Sequence, residues 1–278
     1  MIFGLPISEV ATLAAALIAG GIVTGFLAGL LGIGGGGIIV PVLYELFRML
    51  GVSDSIRMQM CVATSLAIII PTSVRSLRSH WLHGAVDVEV IRRLGPWVIA
   101  GAILGVLIAS NAAAGFLKGV FVASTLFMAS RIAFGKESKF AAGKLPGLPL
   151  DGLAGAGIGL ISTLIGIGGA AYITAYMKLY GWSIHKAVGT ATGFGPIIAI
   201  PAVFGYVAEG WRSSAGVPFS LGYVNMLGLI IVAPLTVLVA PLGVRVAHRL
   251  PRQTLEYAFV AFLLSVALRF TLSLIFHI

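Results

Sequence analysis

Apolar residues run along this chain in helix-length stretches, set apart by short polar or basic breaks. Ten such segments can be delimited, at 8–31, 33–50, 58–79, 94–111, 114–134, 149–166, 168–180, 187–208, 221–247 and 254–276. Several approach the ~20 residues a helix needs to cross a bilayer. The one long polar stretch, residues 135–148, carries Lys136, Lys139 and Lys144 and falls near the midpoint. The pattern therefore predicts an all-α polytopic membrane protein. Residues 1–134 form a first transmembrane repeat, 135–148 a cytoplasmic linker and 149–278 a second repeat.

The halves repeat each other in order. Gly32-Ile33-Gly34-Gly35 returns 134 residues later as Gly166-Ile167-Gly168-Gly169, and Gly21, Gly25 and Leu30 match Gly155, Gly159 and Leu164 at the same offset. Ala63-Thr64 aligns with Ala191-Thr192 after a shorter loop. At an offset of 138, Gly84, Asp87, Pro96 and Arg131 match Gly222, Asn225, Pro234 and Arg269. An ordered series of this kind points to duplication. Five segments per half is an odd number, so the second half enters the membrane from the opposite side, giving two inverted repeats with glycine-broken helices or re-entrant hairpins.

Charge tests that inversion. The loop after the third segment is basic (Arg75, Arg78, Arg92, Arg93), whereas its counterpart after the eighth has Arg212 with Glu209. Lys118 alone accompanies the loop after the fourth segment, and its counterpart carries Arg245, Arg249 and Arg252. Placing the basic loops in the cytoplasm puts 13 of the 18 Lys and Arg inside, leaving Arg48, Arg57, Lys118, Arg212 and Arg269. Both termini are then expected outside.

Composition agrees and narrows the function classes. The chain is 59% hydrophobic and only 10% charged, with mean hydropathy +1.07, too apolar for a soluble globule. The net charge of +9 lies between apolar runs and not on a basic soluble module, so nucleic acid is not an expected partner. A single cysteine, Cys61, permits neither a disulfide nor a cysteine metal cluster. The loop-end histidines lack helical metal-site spacing, so no metal and no cofactor is implied. No nucleophile–base pair can be placed, and no enzyme is expected.

The candidate chemistry lies at the glycine breaks. Gly32-x-Gly34-x-x-Gly37 satisfies a dinucleotide-loop pattern but follows no strand and sits in no βαβ unit. Gly21, Gly25 and Gly29, spaced by four, suit close helix packing. The run Gly34 to Gly37 does not, because each glycine costs a helix about 1 kcal/mol. A helix restarting after each break, near Gly36 and near Ala170, would aim unpaired amides and a positive dipole end at one central site. Two such ends would cradle an anion. The candidate substrate-binding residues are Gly34, Gly35, Gly36, Thr64, Ser65, Gly168, Gly169, Ala170, Tyr172, Thr190 and Thr192. For the hydroxyl groups the alternative is a bond back to their own helix. Arg131 and Arg269 are either gate or substrate contacts, or residues reaching for headgroups. Glu45 is the one carboxylate well inside an apolar segment, a candidate for proton coupling or an interfacial partner of Arg48. Asp87 and Asn225 are expected to cap helices.

The paired breaks Leu31-Gly32-Ile33-Gly34-Gly35 and Ile165-Gly166-Ile167-Gly168-Gly169, with Ala63-Thr64-Ser65 and Gly189-Thr190-Ala191-Thr192, resemble the sulfite exporter TauE/SafE family. The resemblance extends from about residue 12 to 275. It implies a bacterial inner-membrane transporter without ATPase domains that moves sulfur oxyanions such as sulfite, or organosulfonates. Ala170-Ala171 stands where the first half has Gly36-Gly37, a departure from two-fold symmetry. Three functions fit: a secondary transporter working by alternating access, a passive anion channel, and a non-transporting scaffold or accessory subunit.

Overall fold

The computed structural model of the chain describes residues 7–31, 36–134, 145–213, 217–247 and 251–276. The expected contacts of Gly34 and Gly35, and most of the linker, fall outside these residues. Ten helices follow one another: α1 (Ile7–Leu31), α2 (Gly36–Met49), α3 (Asp54–Leu82), α4 (Val88–Asn111), α5 (Ala114–Phe134), α6 (Leu150–Ile165), α7 (Ala170–Leu179), α8 (Ile184–Ser213), α9 (Met226–Ala247) and α10 (Arg252–Phe276). Five of them, α3, α4, α5, α8 and α9, are long and apolar enough to cross a membrane. Large apolar side chains face outwards, with Phe204, Trp211, Leu238 and Tyr257 each more than 60% exposed. That surface suits lipid and not water.

The first departure from the sequence reading is at helix ends. α3 extends beyond 58–79 to Asp54–Leu82, and α4 begins six residues before 94. Their polar first turns belong to the helix: Asp87 caps α4 by accepting from the Val90 amide. The second departure is a small hairpin, β1 (Ser220–Leu221) with β2 (Val224–Asn225), inside the apolar run expected to be helical from 221. Gly222 turns it with φ 55°.

Each glycine break joins a pair of helices that fold back on each other. A Cβ on Gly20 of α1 would stand 2.9 Å from side-chain atoms of both Val42 and Leu46 of α2. Gly20 and Leu46 each lie roughly 15 Å of helix from the break, so α2 returns along α1. On the other side, the Tyr176 hydroxyl of α7 donates to Asp151 Oδ1 at the start of α6 (2.8 Å). α1 and α2 therefore pack as a hairpin, and α6 and α7 are joined at their far ends by this side-chain bond.

Around these hairpins the helices pair in a pattern that maps onto itself when the halves are exchanged. α1 packs along α9 as α6 packs along α4; α3 crosses α8; α5 lies along α10. The contacts explain the spaced glycines. A Cβ on Gly25 would meet the Thr236 Cα at 2.9 Å, and one on Gly21 would meet the Val232 Cα at 3.4 Å. Their counterparts Gly159 and Gly155 lie against the Val98 and Leu94 carbonyls of α4. Backbone meets backbone at both seams, and only glycine permits it.

Candidate functional site

The two hairpins meet tip to tip. A Cβ on Gly36, the first residue of α2, would stand 2.8 Å from the Ile167 Cα and 3.0 Å from the Gly166 carbonyl oxygen. Gly166 ends α6 in the left-handed region (φ 73°), and Gly169 opens α7 in the same region (φ 72°). Any other residue would be strained at both positions, which is why the chain can reverse here within four residues. The Ser65 hydroxyl of α3 donates to the Gly166 carbonyl at 2.8 Å, tying the tip to α3. Gly168 faces Ile69 of α3 and the Gly195 Cα of α8, where the two long helices cross.

The start of α7 offers free donors. Ile173 N is the first amide of that helix to find a backbone acceptor, the Gly169 carbonyl at 3.0 Å. The amides of Ala170, Ala171 and Tyr172 have none among the described residues. Beside them lies Ser162 of α6, fully buried, its Oγ 3.2 Å from where a Gly169 Cβ would be and without a hydrogen-bond partner among the described residues. The next residue, Thr163, is also fully buried with an unpartnered hydroxyl. A buried hydroxyl without a partner costs about 1–3 kcal/mol, so Ser162 holds unmet hydrogen-bonding capacity beside these amides. Sequence reasoning passed over Ser162, although a Ser-Thr pair four residues before a glycine break was a readable sign.

The other expected residues fall into separate groups. Gly36, Ser65, Gly168, Gly169 and Ala170 are assembled at the tips. Tyr172 is half-buried, its hydroxyl directed towards Ser124 of α5 without forming a hydrogen bond of ordinary geometry. The Thr64 hydroxyl accepts from the Asn225 amide (2.9 Å), and the Thr190 hydroxyl accepts from the Asp87 amide (2.8 Å). Asn225 Oδ1 in turn accepts from the Gly228 amide (2.7 Å), so it caps α9 as Asp87 caps α4. The counterpart of Thr64 by position is thus Thr190 and not Thr192, two residues from the sequence alignment. Thr192 donates back to its own helix at the Gly189 carbonyl (2.6 Å).

The expected charges lie away from the tips. Arg269 Nε of α10 is 2.9 Å from Glu45 Oε1, with Arg48 Nη1 3.6 Å from the other carboxylate oxygen. Glu45 is nine residues from the start of α2, roughly 14 Å along its axis. Next to it, Asp54 receives Lys118 Nζ (3.0 Å), Arg57 Nη1 (3.2 Å) and the Tyr44 hydroxyl (3.0 Å). Four of the five basic residues on the face expected outside are therefore paired with these two carboxylates. Arg131 is exposed near the end of α5 and makes no ion pair with a described residue.

Comparison with known proteins supplies the remaining context. The family described as sulfite exporter TauE/SafE matches residues 17–270. A probable membrane transporter protein of Haemophilus influenzae is 28% identical over 250 residues, covering 89% of this chain and 94% of that protein. A probable membrane transporter protein of Methanocaldococcus jannaschii is 25% identical over 245 residues, covering 84% and 86%. One from Bacillus subtilis is 26% identical over 193 residues, covering 67% and 76%. No solved structure matches. With a family match that spans nearly its whole length, this multi-pass membrane protein belongs to the sulfite exporter TauE/SafE family of membrane transporters.

Proposed function

We propose that the chain is a secondary transporter of a small anion, sulfite or an organosulfonate, bound where the hairpin tips meet and moved by alternating access. The observation that carries this reading is the buried, unpartnered Ser162 hydroxyl beside the free amides of α7. A hydroxyl, amide donors and a positive dipole end select negative charge. The absence of a described lysine or arginine at the tips favours a small anion that must also be released, since a buried ion pair would hold it.

Inversion of the two halves is part of the proposal. Its support is the exchange-symmetric helix pairing, the matched glycine seams and the matched Thr64–Asn225 and Thr190–Asp87 bonds. The hairpins would enter from opposite faces of a bacterial inner membrane, with both termini outside. Pairing of Arg48, Arg57, Lys118 and Arg269 with Glu45 and Asp54 accounts for basic charge on the outer face. The close packing of the tips on α3 and α8 favours alternating access over an open channel. Gly195 lies against Ser73 and Gly168 against Ile69, so any path there must open by moving the tips or the crossing helices.

Thermal shift of the purified protein tests the ligand class. Sulfite, methanesulfonate and sulfate should raise Tm in a saturable way, whereas sodium, ammonium and choline salts matched in ionic strength should not. Stabilisation by cations, and by no anion, would rule out the anion site.

A further inference from the structure

A cavity of about 540 Å³ opens at one end of the α3–α8 crossing, lined by Ser79 and His80 of α3, His83 and Ala85 just after it, and Ile184, His185 and Val188 of α8. Three of the five histidines in the chain gather here, and no carboxylate lines the space. Ala85, Ile184 and Val188 make much of the lining apolar, and Ser79 with the three histidines supplies its polar groups. His83 Nδ1 lies 2.7 Å from the Ser79 carbonyl oxygen, so that nitrogen carries the proton and Nε2 is left to the cavity side or to solvent. Ser183 opens α8, its carbonyl accepting from the Ala187 amide, while the amides of Ile184 and His185 find no backbone acceptor among the described residues. Among the described residues no three His, Cys, Asp or Glu side chains converge closely enough to hold a metal ion.

Position ties the cavity to the tips. His80 follows Ser73, the residue that meets Gly195 at the helix crossing, by seven residues, roughly 10 Å along α3. Ala85, on the cavity wall, packs against Gly189, next to the Thr190 hydroxyl that holds the start of α4. At the other end of the crossing the residue matching Ala85 at the offset of 138 is Tyr223, 4% exposed and packed on Gly210. That end is filled by a ring where this one is open.

We propose that the histidine cavity is the vestibule in which the transported anion is taken up or released together with a proton, which makes proton coupling a property of this mouth. The inference rests on the anion reading above. A protonated imidazole is a cation with two donors, where the neutral ring has one. Anion and proton binding then reinforce each other by linkage, so the anion binds more tightly as the histidines take up protons at lower pH. At this end of the surrounding elements the other charged groups are Arg75 and Arg78 of α3, Asp87, Glu89, Arg92 and Arg93 at the start of α4, and Lys186 of α8. Asp87 is engaged by the Val90 amide and the Trp182 indole.

The test is the affinity of the full-length protein for methanesulfonate, an anion whose own charge does not change over that range. Wild type should bind about tenfold more tightly at about pH 5.5 than at about pH 7.5, within the usual range of a linkage effect. The triple variant His80→Gln, His83→Gln, His185→Gln should lose that gain and keep the weaker high-pH affinity at both values. If the triple variant does not fold, His83→Gln and His185→Gln, both at exposed positions, should each reduce the gain singly. A pH response that survives these changes, or a wild type with none, overturns the vestibule while leaving the tip site standing if Ser162→Ala still weakens binding. Failure of wild type to bind any anion at either pH overturns both.

Discussion

A Ser162→Ala protein should bind sulfite and methanesulfonate about 10- to 100-fold more weakly than wild type while unfolding at the same or a higher temperature. The two halves of that result come from one atom. Among the described residues the Ser162 hydroxyl is buried without a partner, so removing it relieves a desolvation cost of about 1–3 kcal/mol. In the complex the same hydroxyl donates to a charged ligand oxygen, a bond worth about 1.5–3 kcal/mol, or roughly 10- to 150-fold in affinity. A merely structural serine would behave in the opposite way, with a lower Tm and unchanged affinity. Isothermal titration and thermal unfolding on the same preparation separate the two. Ser65→Ala is the contrasting change. It removes the bond to the Gly166 carbonyl and should lower Tm by destabilising the tip.

Gly159→Leu should prevent a stable fold or lower Tm sharply. A Cβ added there would overlap the Val98 carbonyl oxygen and stand 3.0 Å from the Ala102 amide nitrogen. Those are backbone atoms of a helix and cannot rotate aside. α4 and α6 would have to separate along their length, and overpacking of this kind costs about 1–3 kcal/mol or more. Gly25→Leu on α1 should behave in the same way against Thr236 of α9, because the two seams are matched. Gly157→Ala is the control, since an added Cβ there meets nothing within 4 Å. Alanine should leave Tm unchanged or raise it slightly through helix propensity. Size-exclusion profiles and thermal unfolding in detergent check all three. Equal behaviour of Gly159→Leu and Gly157→Ala would mean that the seam is not packed as described.

Much of the fold was legible because a bilayer imposes one pattern on every crossing helix. Long apolar runs separated by basic loops were enough to separate ten helices. Their ends were less legible where polar turns remain helical, as at Asp54, which is held by Lys118, Arg57 and Tyr44. No periodic signal marked the hairpin at Ser220–Asn225. Its residues Tyr223 and Val224 are as apolar and as buried as any helical pair. Duplication made the breaks visible, but composition aligned Thr64 with the wrong threonine; the bonds to Asn225 and Asp87 correct that to Thr190. Arg269 and Glu45 were each singled out for a separate role, and nothing in sequence could say that they pair with each other. The tip geometry escaped for a related reason. That Gly36 would lie on Ile167, and that Ser162 would lie beside Gly169, are consequences of two hairpins meeting.

The most direct measurement is transport in proteoliposomes containing only this protein, with methanesulfonate at equal concentration on both sides and a pH gradient imposed across the membrane. The account predicts saturable accumulation of the anion against its own gradient, abolished when the pH gradient is collapsed and weakened by Ser162→Ala. Movement that is only downhill and rises linearly with concentration would contradict it.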